Sequence, residues 1–144
     1  MKRRDFIKAT AVTVPMIGLF PPGLTDMKRK KKKGRIEKRM LGKTGEMLSI
    51  IGFGGIVVRD ATAQEASERV KMAIDTGINY FDVAPSYGNA EQMLGPALEP
   101  YRKDVFLACK TQKRNREEAE AELEQSLRNL RTDHFDLYQH HAVT

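Results

Sequence analysis

The chain has 144 residues, the size of one ordinary domain, with 40% hydrophobic and 31% charged residues, enough to bury a core. No apolar run approaches the roughly 18 residues of a membrane-spanning helix, which argues against stable membrane insertion. The net charge of +6 belongs to the front of the chain: residues 1–40 carry 13 Lys/Arg against 3 Asp/Glu, and residues 41–144 carry 12 against 16. An acidic body argues against nucleic acid as a partner, and a single cysteine, Cys109, excludes an intrachain disulfide framework or a thiolate zinc cluster.

Residues 1–26 read as an address and residues 27–35 as a basic linker. A basic stretch over 1–10 precedes a ten-residue apolar run over 11–20, broken by Pro15, which is the layout of an export signal. Arg3-Arg4-Asp5-Phe6-Ile7-Lys8 resembles the twin-arginine signal, with Lys2 where that pattern usually has Ser. This implies the twin-arginine export machinery as a partner and a periplasmic destination, or a cytoplasmic one if the signal does not function. Six consecutive basic residues over 28–33 repel one another and suit a solvated spacer.

From residue 36 the pattern becomes regular. Short extended segments over 38–41 and 47–51 flank Gly42-Lys43-Thr44-Gly45, a hairpin turn. Ile50-Ile51-Gly52-Phe53-Gly54-Gly55 reads as a strand ending in a glycine-rich loop. Thr62 and Glu65 have capping-box spacing ahead of a helix carrying Ala66, Val70, Ala73 and Ile74, which Gly77 stops. Residues 78–83 form a buried strand, followed by a loop and a short helix that Asn89 could cap. A strand over 105–109, a helix opened by Asn115 and Glu118 with Ala119, Leu123, Leu127 and Leu130 on one face, and a strand over 135–139 complete the pattern.

Strand centres near residues 50, 81, 107 and 137 repeat at roughly 30 residues, the length of a βα unit. Such alternation implies a parallel sheet, either doubly wound or a TIM barrel. A full barrel takes eight units and about 250 residues, so on that reading the chain supplies about four of eight strands.

Ligands bind at the carboxyl ends of strands in parallel α/β folds. Asp82 lies at the end of the second strand, Tyr87 in the loop beyond, Lys110 directly after the third strand, and His140 and His141 after the fourth. Alternation turns Phe81, Val83, Leu107 and Cys109 away from the face of Asp82 and Lys110, but it cannot choose between the histidines. Adjacent histidines on a strand point to opposite faces, so no metal site is expected from them or from His134. Gly52-Phe53-Gly54-Gly55 lacks the third glycine and the following acidic residue of a Rossmann phosphate loop.

Leu41-Gly42-Lys43-Thr44-Gly45, Ser49-Ile50-Ile51-Gly52-Phe53-Gly54-Gly55, Asn79-Tyr80-Phe81-Asp82-Val83-Ala84-Pro85-Ser86-Tyr87-Gly88 with Glu91, and Asp136-Leu137-Tyr138-Gln139-His140-His141 together resemble the aldo-keto reductase family. The resemblance runs over 36–144 and implies the N-terminal half of a (β/α)8 barrel behind an N-terminal β-hairpin. It implies NADPH-dependent reduction of aldehyde or ketone carbonyls, with Asp82, Tyr87, Lys110 and His141 as the catalytic set. The family's Asp-Leu-Tyr-Gln-x-His pattern selects His141 over His140. Gly54 and Asp82 would border the cofactor. A tyrosine with an unperturbed pKa of about 10 is a weak acid near neutrality; an ammonium beside a phenol favours its ionised form, and a carboxylate keeps the ammonium charged and oriented. The histidine would orient the substrate carbonyl.

In that family the residues that grip the cofactor's phosphate come mostly from the second half of the barrel. The expectation is therefore a truncated chain that binds NADPH poorly and turns over little by itself. Two other readings of the same residues are a non-catalytic binding or regulatory module on this fold and a tethering protein that acts through its basic tail.

Overall fold

The computed structural model describes residues 35–142; the expected export signal and the basic run, over 1–34, lie outside the described residues. The first elements are a two-stranded antiparallel hairpin, β1 (Lys38–Met40) and β2 (Met47–Ser49), in the register Lys38 to Ser49. Gly42 and Gly45 take positive φ of 53° and 89° in the turn between them, which a residue without Cβ adopts at no steric cost.

A four-stranded parallel sheet follows in the order β3 (Phe53–Gly54), β4 (Tyr80–Asp82), β5 (Phe106–Thr111) and β6 (Leu137–His140). The helices α1 (Ala63–Thr76), α2 (Ala90–Leu98) and α3 (Arg116–Leu130) alternate with the strands. Sequential strands neighbour one another throughout, which is the topology of a partial (β/α)8 barrel rather than of a doubly wound sheet.

Several elements start and stop where local chemistry dictates. The Thr62 hydroxyl accepts from the Glu65 N–H at 3.2 Å, and the Glu65 carboxylate accepts from the Thr62 N–H at 2.8 Å, closing the capping box of α1. Gly77 ends α1 at φ 95°, donating to the carbonyls of Ala73 and Ile74. The Asn115 side chain accepts from the Glu118 N–H at 2.9 Å and opens α3. Asn89 stands at the N-cap of α2 without capping it; its side chain instead accepts from the Asp60 N–H at 2.8 Å, tying that turn to the loop before α1.

Element boundaries differ from the sequence reading in three places. The strand expected around residue 50 is the two-residue β3 further along, and Ile50 and Ile51 are exposed. Asn79 causes this: it accepts from the Ser49 N–H at 2.8 Å and donates to the Met47 carbonyl at 2.9 Å, and the Ser49 hydroxyl turns onto the Ile51 carbonyl at 2.8 Å. Lys110 does not follow the third strand but lies inside it, because β5 goes on pairing with β6, Lys110 to Gln139 and Thr111 to His140, after its pairing with β4 ends at Ala108. His140 is likewise the last residue of β6 and not the first beyond it.

The core lies between the outer face of the sheet and the helices. Phe53, Phe81, Val83, Leu107 and Cys109 from the strands meet Val70, Ala73, Leu94, Leu98 and Leu130 from the helices. The expected stripe of α3 is only half covered: Leu123 and Leu127 are half-buried, and Ser126 and Leu130 occupy the buried line. At the amino ends of β5 and β6, Arg102 donates to the Thr132 hydroxyl, the Val105 and His134 carbonyls and the Asp136 carboxylate within 3.1 Å. Asp136 in turn accepts from the Leu107 N–H at 2.8 Å.

Helices α2 and α3 cross at Gly95, where an added Cβ would stand 2.3 Å from the Asn129 carbonyl oxygen and 2.8 Å from Leu130 Cα. Both obstacles are backbone, so the helices must separate. Gly95→Ala is expected to lower unfolding stability by about 1–3 kcal/mol, the usual cost of overpacking a dense core. Gly54→Ala, whose methyl would meet nothing nearer than Ile56 Cγ2 at 3.9 Å, is expected to leave it nearly unchanged. Urea titrations of the two variants check the contrast.

Candidate active site

Two residues of alternate parity on β4 and β5 create the site. Phe81, Leu107 and Cys109 face the helices and are fully buried, so Asp82, Ala108 and Lys110 face the concave side of the sheet. Registers Gly54 to Asp82, Asp82 to Ala108, and Lys110 to Gln139 bring the strand ends onto one rim.

The Lys110 ammonium forms an ion pair with Asp82 Oδ1. The two side chains are 10% and 24% exposed, so the charges are largely withdrawn from water and depend on each other. The same ammonium donates to the Val83 carbonyl at 3.4 Å and reaches the Tyr87 hydroxyl at 3.5 Å. It also lies 5.2 Å from the centroid of the Tyr87 ring. Tyr87 is placed by a tight turn after β4 in which its N–H donates to the Ala84 carbonyl at 3.0 Å.

His141 closes the group. Its N–H continues the ladder onto the Thr111 carbonyl at 2.8 Å, and its ring meets that of Tyr87 edge-on, with centroids 5.7 Å apart at 88°. All four expected side chains therefore converge. His140 is turned elsewhere, with its Nδ1 3.4 Å from Arg114 Nη1, so the structure separates the two histidines that parity left undecided. His134 pairs with Asp133 at 2.6 Å, away from the rim. Among the described residues no three His, Cys, Asp or Glu side chains group as a metal site.

Gly54 sits beside Asp82 in register, and an added Cβ there would make only ordinary contact, with Ile56 Cγ2 at 3.9 Å. Tyr80 shares the concave face two residues before Asp82. Burial and then the Asp82 carboxylate push its phenol above the ordinary range, with Lys110 pulling the other way.

Three contributors were not legible in the sequence. Ser86 Oγ lies 3.1 Å from His141 Nδ1, across 55 positions of chain that no spacing rule connects. Arg114 donates to the His141 and Ala142 carbonyls at 3.0 and 3.1 Å, pinning the backbone beyond β6. Glu91, part of a quoted motif without a role, is 3% exposed behind β5 and accepts from Asn129 Nδ2 at 2.9 Å and from the Cys109 thiol at 3.6 Å.

Comparisons with known proteins bear on the family and the fold. The model of the aldo/keto reductase family matches residues 50–144. The chain belongs to the aldo-keto reductase family. It is 35% identical to the aldo-keto reductase YhdN of Bacillus subtilis, over 74% of this chain and 38% of that protein. It is 33% identical to the L-galactose dehydrogenase of Arabidopsis thaliana, over 76% of this chain and 39% of that one. Among solved structures, the holo form of the aldo-keto reductase AKR11C1 from Bacillus halodurans superposes with a TM-score of 0.66 at 33% identity, covering 76% of this chain and 41% of that one. An aldo-keto reductase from Klebsiella pneumoniae in complex with NADPH superposes at 0.64 and 27% identity, over 74% and 39%. The chain thus spans about two fifths of the length of the curated relatives it matches.

Cys109 stands directly behind Lys110 with its side chain in the core. Burial first, then the neighbouring Glu91 carboxylate, push the thiol up to about 12 from an ordinary 9.0. The folded state therefore holds the neutral thiol, while the unfolded chain ionises near 9. This contribution to stability is complete below about pH 9 and is lost as pH rises toward 12. Iodoacetamide at pH 9 is expected to leave the native chain unmodified and to alkylate it fully in urea, as read by intact-mass spectrometry; rapid native labelling would contradict this placement.

Proposed function

We propose that this chain carries the proton-delivering side of an NADPH-dependent oxidoreductase that reduces aldehyde or ketone carbonyls. The observation that carries the reading is the Lys110 ammonium, ion-paired to Asp82 and within 3.5 Å of the Tyr87 hydroxyl on the concave rim. The bound cofactor would supply the hydride to the carbonyl carbon.

Reduction leaves negative charge on the carbonyl oxygen, which a donor must neutralise as it develops. In this reading Tyr87 gives that proton. Lys110 stabilises the phenolate left behind, Asp82 holds the ammonium charged and aimed at Tyr87, and His141 donates to the carbonyl oxygen and fixes its direction. Gly54 and Asp82, neighbours in register on this rim, would border the nicotinamide. A Klebsiella pneumoniae relative with NADPH bound supports the choice of cofactor. The described residues supply four of the eight parallel strands of a full barrel, and by themselves they are expected to hold NADPH weakly.

The export reading rests on Arg3-Arg4-Asp5-Phe6-Ile7-Lys8: residues 1–26 would direct the protein through the twin-arginine machinery to the periplasm, and residues 27–35 would serve as spacer. Sequencing the mature N-terminus decides it.

Tyr87→Phe keeps the ring and its contact with His141 and removes only the acid. It is expected to lower the NADPH-dependent reduction rate of the enzyme by about 10²–10⁴-fold, the range for one general acid. Steady-state rates over a set of aldehydes and ketones check this. A variant as active as the parent would remove Tyr87 from the proton transfer, and a parent inactive over the whole set would favour the non-catalytic reading.

A further inference from the structure

Two consecutive residues hold the His141 ring from different directions. Tyr87 meets it edge-on at 5.7 Å, and Ser86, one residue earlier, places its hydroxyl oxygen 3.1 Å from Nδ1. The backbone of His141 is held as well, by the Thr111 carbonyl at 2.8 Å and by Arg114 at 3.0 Å. Backbone contacts fix where the ring hangs but not which nitrogen carries the proton. Of the contacts around His141, only the Ser86 hydroxyl addresses a ring nitrogen among the described residues.

A neutral imidazole has one N–H and one bare nitrogen, and only the N–H can donate to a carbonyl oxygen. We propose that Ser86 is a positioning residue: its hydroxyl donates to Nδ1 of His141 and keeps the imidazole proton on Nε2, the nitrogen left free to face the substrate. The inference rests on the carbonyl-reducing reading for its purpose, but its physical content stands apart from turnover. Ser86 has no other hydrogen-bond partner among the described residues, so its O–H is available for Nδ1. Had Nδ1 carried the proton, Nε2 would present a lone pair to the substrate, and two acceptors would repel across the site. The tight turn after β4 thus delivers both the acid, Tyr87, and the group that sets the protonation of its partner.

Nitrogen-15 spectra of histidine-labelled chain at about pH 8.5, above the ordinary imidazole range, read the tautomer directly. The His141 signals are assigned by comparison with His141→Gln. The parent and Ser86→Thr, which keeps the hydroxyl, are expected to show His141 with the proton on Nε2. Ser86→Ala is expected to move both its ring nitrogens toward averaged values. In the enzyme, Ser86→Ala is expected to lose about tenfold in kcat/KM, the size of one neutral hydrogen bond, and Ser86→Thr to restore it. A proton on Nδ1 in the parent, or a Ser86→Ala spectrum identical to the parent's, would overturn the proposal. Those spectra do not depend on Tyr87, whose replacement tests the carbonyl-reducing reading by itself.

Discussion

One buried ion pair organises this rim. A lysine side chain that is only 10% exposed loses most of the water around its charge, and Asp82 on the neighbouring strand supplies the compensating partner. Removing either partner leaves an uncompensated charge in a poorly solvated place, so each residue fixes the other. The Val83 carbonyl takes a second ammonium proton and leaves Tyr87 in the remaining direction. The tight turn after β4 then brings the phenol to that direction.

The sheet makes the pair possible through its other face. Phe53, Phe81, Leu107 and Cys109 fill the space under the helices, and the Phe53 and Phe81 rings lie 5.0 Å apart. Because strand residues alternate, anchoring these four inward to the helices forces Gly54, Asp82, Ala108 and Lys110 onto the concave side. A slip of one residue would bury the charges among leucines and expose the aromatics, a penalty on every strand at once. Glu91 and Asn129 brace the back of β5 one residue from Lys110.

Much of this was readable from the chain. The capping box at Thr62 and Glu65, the stop at Gly77 and the alternation across Phe81-Asp82-Val83 follow from local chemistry, and each survives in the structure. What eluded the sequence is what long-range contacts decide. Asn79 ends β2 and delays β3 through hydrogen bonds that span 30 and 32 positions. Asn89 gives up its cap to hold Asp60, and Lys110 falls inside a strand lengthened by its pairing with β6. The histidine pair shows the limit of periodicity most plainly: polar residues on both faces of β6 hide the period, so the choice of His141 came from the family pattern by itself, and its physical basis is the contact of His141 with Ser86 and Tyr87, set against that of His140 with Arg114.

If the carboxylate serves the phenol only through the ammonium, the residues form one device and their losses cannot add. The direct measurement is a double-mutant cycle on kcat for carbonyl reduction, combining Asp82→Asn with Tyr87→Phe in the enzyme. The account predicts that the double variant is no slower than Tyr87→Phe by itself. Losses that multiply would contradict it and separate Asp82 from the proton-transfer step.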